Sequence, residues 1–80
     1  MNKPKPSPPR FAADFRAEMA RRQISGSELA RRLGVHHWWV SKRLTGHIPT
    51  RVEDLERMAE AVGVPPQMFV MDLRETADVA

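Results

Sequence analysis

The stretch ISGSELARRLGVHHWWVSKRLTG, residues 24–46, decides the fold. Ser25 and Glu28 have the S-x-x-E spacing of a capping box, so a helix begins there. Leu29, Ala30 and Leu33 share its inner face, and Arg31 and Arg32 lie outside. Gly34 ends it in the left-handed conformation, which costs glycine nothing because it lacks a Cβ. Val35 is apolar, and His36 is placed to cap a following helix over about 37–45, which Gly46 stops. In that helix Val40 and Leu44 face inward, whereas His37, Trp38, Ser41, Lys42 and Thr45 fall on the other side. Ala30 is small where the next helix crosses it, and Val40 fills the crevice between the two. Two helices joined by such a turn cross at about 90–120°.

Outward from this pair the period stays helical. Upstream, Phe11, Phe15 and Met19 recur every four residues, with Ala12 and Ala20 beside them. They predict a first helix ending near Gln23, with Arg21 and Arg22 in the last turn, where cations suit the helix dipole. Ile24 follows as an apolar anchor. Downstream, His47-Ile48-Pro49-Thr50 reads as a loop, and Thr50 with Glu53 again has capping-box spacing. Val52, Leu55, Met58, Ala59 and Val62 form the stripe of a fourth helix, ended by Gly63. Pro65 and Pro66 open a short fifth helix containing Met68 and Phe69 and reaching toward Met71 and Leu73. No strand alternation and no internal repeat is present. The expected fold is all-α, a compact five-helix domain over 11–73. A frayed tail over 74–80 follows it, and a flexible arm over 1–10 precedes it, MNKPKPSPPR, whose four prolines preclude a helix.

The chain has 80 residues, enough for one domain with a lean core. It has no cysteine, which excludes disulfides and cysteine-held zinc, and its three histidines have no metal-ligand spacing. No apolar run approaches the ~20 residues needed to cross a bilayer. The net charge of +3 hides an asymmetry: residues 1–46 carry ten basic and three acidic groups, residues 47–80 three basic and seven acidic. Ten of the 13 basic residues are arginine, whose planar fork fits phosphate and guanine edges. Glu53, Asp54, Glu56 and Glu60 fall on the exposed side of the fourth helix, with no nucleophile, cleft or metal set beside them. The reading is therefore a binding protein, not an enzyme, with no cofactor and no metal.

The segments ELARRLGVHHWWVSKRLTG and Val52-x-x-Leu55-x-x-Met58-Ala59-x-x-Val62-Gly63-Val64, in order and joined by a short proline-containing loop, resemble the Cro/lambda-repressor-like (XRE-type) helix-turn-helix family. The resemblance spans roughly Phe15 to Phe69. It implies sequence-specific binding of a double-stranded DNA operator, with the helix over 37–45 in the major groove. His37, Trp38, Ser41 and Lys42 match positions that face the groove and read bases. Gly26, Ser27, His36, Arg43, Thr45, His47, Thr50 and Arg51 match the surroundings that meet the DNA backbone. Lys3, Lys5 and Arg10 of the arm are placed to follow the duplex. Related proteins often bind palindromes as homodimers. The implied role is a transcriptional regulator, a repressor of phage or prokaryotic type, in the cytoplasm at the nucleoid. The abrupt C-terminus also suits the DNA-binding portion of a longer repressor.

Two departures from the family pattern stand out. Gly26 replaces a glutamine that commonly braces a phosphate, which leaves the Gly26 and Ser27 amides and the Ser27 hydroxyl for that task. Met19 and Leu44 occupy the positions of a buried Arg–Glu pair in some phage members, an exchange that costs little stability when both partners change together. Of the two tryptophans, phase turns Trp38 outward, where the resemblance implies DNA contact, and sets Trp39 at the flank for packing near Val35 or the loop after Gly46. At least one of Arg31 and Arg32 belongs to a solvated face. Two other readings are an excisionase-like or architectural DNA binder, which would need two strands after the recognition helix, and a protein-interaction module such as an antitoxin.

Overall fold

The computed structural model describes residues 6–70. Lys3, Lys5, Met71, Leu73 and the 73/74 boundary lie outside the described residues. Four helices run in order, α1 (Ala12–Arg21), α2 (Gly26–Leu33), α3 (His37–Thr45) and α4 (Val52–Val62). A fifth helical segment, α5, covers 67–70. The described residues contain no strand.

The apolar stripes converge on one core. Phe11, Phe15 and Met19 meet Leu29 and Ala30, Val40 and Leu44, then Leu55, Met58, Ala59 and Val62, closed by Val64 and Phe69. Ala20, on the flank of the α1 stripe, stays exposed. Three phenylalanines join the start of the domain to its end. Phe15 and Phe69 pack edge-on with ring centroids 5.3 Å apart, and Phe11 sits 6.0 and 6.3 Å from the two. Such pairs add about 0.5–1.5 kcal/mol each beyond the area they bury. α2 packs against both α3 and α4, so the inner pair of the fold is its centre.

All four helices end in the same way. A residue enters the left-handed region, and the next amide donates to the carbonyl five residues back: Ile24 to Met19, Val35 to Ala30, His47 to Lys42 and Val64 to Ala59, at 2.9–3.0 Å. After α1, α2 and α4 the donating residue is apolar and packs on the core, as this turn prefers. After α3 it is His47, which stays exposed. Gln23, at φ 55°, takes the left-handed position after α1, so that helix stops two residues before the periodicity suggests. Gly46 has a second constraint. At φ 88° a Cβ there would also collide with the Ser7 carbonyl, because the arm crosses the end of α3.

The start of α4 differs from expectation by one residue. Arg51, not Thr50, flanks the helix, and the Asp54 carboxylate, not that of Glu53, accepts the Arg51 amide at 3.4 Å. Thr50 is drawn away because its hydroxyl donates to the Arg43 carbonyl at 3.4 Å. At α2 only half of the capping box forms. Ser25 Oγ accepts the Glu28 amide at 3.1 Å, but the Glu28 carboxylate turns to Arg31 and Arg32. Arg32 also donates to the Ala61 carbonyl at 2.8 Å, tying α2 to α4.

Two consequences are testable. Hydrogen bonds from Arg31 and then Arg32 hold the Glu28 carboxyl at about 2, below its usual 4.5, and Arg22 lowers Glu18 in the same direction. A carboxylate depressed by folding contributes stability above its unfolded pKa, and that contribution is lost as pH falls through the folded value. Stability should thus fall from pH 4.5 toward 2, and Glu28→Gln should lower stability at pH 7 and flatten that descent. Denaturant titrations across that window measure both, and an unchanged slope in the variant would refute the assignment. Separately, Gly63→Ala should cost about 1–2 kcal/mol for its left-handed backbone. Gly46→Ala should cost more, and removing residues 1–8 should bring the two costs together.

Candidate nucleic-acid interface

α3 has weak intrinsic helix formers, with two tryptophans, a valine and a threonine in nine residues, so its ends carry much of its definition. At the N-terminus His36 is extended, and its ring Nδ1 accepts the Trp38 amide at 3.3 Å. This satisfies one of the orphan donors that a serine or aspartate usually serves, and it requires an unprotonated Nδ1. The His37 ring stacks beside it, 4.5 Å between centroids, and the Trp38 ring lies 6.4 Å away. A row of rings therefore opens the helix.

Val40 and Leu44 are buried, 1% and 4% exposed, which turns the opposite face outward. His37, Trp38, Ser41 and Lys42 share that exposed face, with Trp38 47% exposed. The four residues expected to read bases are thus brought together on one surface. Thr45 is half-buried at its lower end, where its hydroxyl donates to the Ser41 carbonyl at 2.8 Å and the hydroxyl oxygen lies 2.8 Å from His47 Nδ1.

The surroundings divide. Gly26 and Ser27, in the first turn of α2, are exposed, as are His36, His47, Arg10 and Arg51. Arg43 and Thr50 are not on that face. The Arg43 side chain is 14% exposed and pairs with Asp54, and the half-buried Thr50 bonds the Arg43 carbonyl. Asp54 accordingly leaves the solvated acidic row, while Glu53, Glu56 and Glu60 remain exposed in it. Trp39 packs on the core as expected, and Arg43 lies over its ring at 3.7 Å and Arg57 at 5.7 Å. Arg31 and Arg32 are engaged with Glu28 on the exposed side of α2.

A cleft of about 350 Å³ runs beside the exposed face of α3, between α1, α2 and α3. Met19, Val40 and Leu44 form its floor. Arg16, Ser27, His37 and Ser41 stand on its rim. Nothing lies within 4 Å of a Cβ built on Gly26, and the missing side chain leaves the cleft open. Arg16 was not expected at this surface from sequence. Its signal was its phase, three residues before Met19 on the helix that borders the pair. Among the described residues no cluster of His, Asp or Glu could hold a metal ion, and no helix is long and apolar enough to cross a membrane.

Residues 10–69 match the family described as helix-turn-helix domain. No curated protein matches the chain. Among solved structures, the fold is similar to the crystal structure of a hypothetical transcription factor, NHTF, from Neisseria, with a TM-score of 0.69 and 24% identity over 88% of this chain and 80% of that one. At that identity the likeness concerns the fold alone.

The His36 cap can be tested without any ligand. His36→Ala should destabilise the domain by about 1 kcal/mol and His36→Asn much less, since asparagine supplies the same acceptor. Equal losses in denaturant unfolding would show that the ring does not cap α3.

Proposed function

The chain belongs to the helix-turn-helix domain family, and from that membership we propose that it is a sequence-specific regulator of transcription that binds double-stranded DNA through α3 in the major groove. The observation that carries this reading is the single exposed face of His37, Trp38, Ser41 and Lys42, aligned on a helix whose other side is buried. Lys42 donates to guanine O6 or N7, His37 donates through its ring, and Trp38 covers thymine methyls or sugar with its apolar face. Gly26, Ser27, His36, Thr45, His47 and Arg51 flank that face and contact phosphates, which position the protein without specifying sequence. Arg43 and Thr50 support the helix instead. Lys3, Lys5 and Arg10 follow the duplex as a basic arm. Occupancy of an operator in a prokaryotic or phage-infected cell blocks transcription, with two copies sharing a palindromic site. A winged excisionase is disfavoured, because a helix and no strand follows α3 among the described residues.

Selection from random duplex DNA tests the proposal. A recovered motif, palindromic if two copies bind, is the expected result. Lys42→Ala should lose about 1–3 kcal/mol on that motif and relax preference at one base pair. Arg51→Ala should weaken all duplexes alike and lower the salt slope by about one. Absence of any enriched sequence, or an unaltered affinity for Lys42→Ala, overturns the reading.

A further inference from the structure

Arg43 is adjacent to Lys42 in sequence but opposite to it in role. Its guanidinium makes three contacts at once. It lies 3.7 Å over the Trp39 ring, donates from Nη1 to the Trp39 carbonyl at 3.1 Å, and donates from Nε to Asp54 Oδ2 at 3.3 Å. The same Asp54 oxygen accepts the Arg51 amide, and the Arg43 carbonyl accepts the Thr50 hydroxyl. The network thus ties the middle and last turn of α3 to the first turn of α4 across the loop. Both charged side chains are largely withdrawn from water, 14% and 18% exposed.

Val40 and Leu44 lie one turn apart on one line of α3, and together they fix its distance and tilt on the core. Contacts on one line leave rotation about the helix axis weakly determined, so that rotation depends on Trp39, which packs on the core off that line with Arg43 over its ring. With side-chain tips about 5–6 Å from that axis, a roll of about 10° moves a donor by ~1 Å. That displacement is enough to spoil a hydrogen bond to a base edge. The Arg43–Asp54 link lies off the Val40–Leu44 line and opposes such a roll.

We propose that Asp54, acting through Arg43, is a positioning residue for base discrimination: it fixes the rotation of α3 so that His37, Trp38 and Lys42 meet base edges in one register. The inference rests on the DNA reading proposed above, and neither Asp54 nor Arg43 touches DNA in it. A withdrawn ion pair serves here to select one arrangement, a role for which burial of charge is better suited than for added stability.

The test compares wild type with Asp54→Asn, which keeps an acceptor for the Arg51 amide, and with Arg43→Lys, which keeps the charge but loses the fork. Affinity is measured for the selected operator, for single-base-pair variants of it, and for random duplex, at several salt concentrations. Each variant should lose roughly tenfold in discrimination, the scale of coupling within one side-chain network, with salt slope and random-duplex affinity unchanged. The double variant should lose no more than either single one. A merely structural role would weaken operator and random duplex in proportion and leave the ratio intact, which overturns the inference. Amide exchange in the free protein gives a second, DNA-independent arm. Asp54→Asn should speed exchange in the last turn of α3 and leave α2 unchanged, and unaltered exchange in α3 also overturns the inference. Failure to select any operator overturns the DNA reading itself, whereas an operator bound with wild-type discrimination by Asp54→Asn overturns only the positioning role.

Discussion

The structure depends on α2 being packed against α3 and α4 at the same time. Leu29 and Ala30 make this possible, at 0% and 3% exposed. Ala30 presents only a methyl group to the crossing, and the Val35 amide returns to its carbonyl, so the turn and the crossing are fixed by one residue. A larger side chain there would separate the helices or force strained rotamers in a core already filled by Val40 and Leu44. On its outer side α2 is held by Arg32 on the Ala61 carbonyl, with Glu28 orienting that arginine. The exposed face of α3 has its direction because α2 has its place.

Charge is distributed less simply than composition implies. The first 46 residues carry ten basic groups, but Arg21 and Arg22 are paired with Glu18, Arg31 and Arg32 with Glu28, and Arg43 with Asp54. Those five arginines hold helices together or cover their flanks. The cations beside the exposed face of α3 are fewer, with Lys42 on it, Arg16 at the cleft and Arg51 at the start of α4. A count of arginines overestimates the field offered to a polyanion, because local i,i+3 and i,i+4 carboxylates neutralise it helix by helix.

The four long helices and their inward faces were legible because each carries a regular apolar stripe, and three of them end at a glycine. What was not legible has specific causes. Glutamine has no preference for left-handed backbone, so the end of α1 at Arg21, two residues before Gln23, had no local signal. The shift from Thr50 to Arg51 at α4 arises from the Arg43 carbonyl, a partner seven residues away. The Arg43–Asp54 pair spans eleven residues and two helices, whereas periodicity placed Asp54 on an open face and the resemblance gave Arg43 to the DNA backbone. Gly46 was readable as a helix stop, but the crossing of Ser7 over it was not, since that contact joins segments far apart in sequence. For the candidate site the face was readable from phase, whereas its supports were tertiary.

The adjacent tryptophans show how these levels combine. Consecutive helical residues are about 100° apart, so one of the pair can point outward only if the other turns to the flank. Trp38 is left exposed beside His36 and His37, and Trp39 becomes the surface on which Arg43 and Arg57 lie. α3 is a poor helix by propensity, and the second tryptophan answers that weakness by giving Arg43 a platform from which it reaches α4. The ring of His36 answers it at the other end by taking the Trp38 amide. An aromatic-rich helix therefore needs side-chain fixtures at both ends, where a run of alanine, glutamine or glutamate would need fewer. The same residues that make α3 an unusual helix account for the supports that surround it.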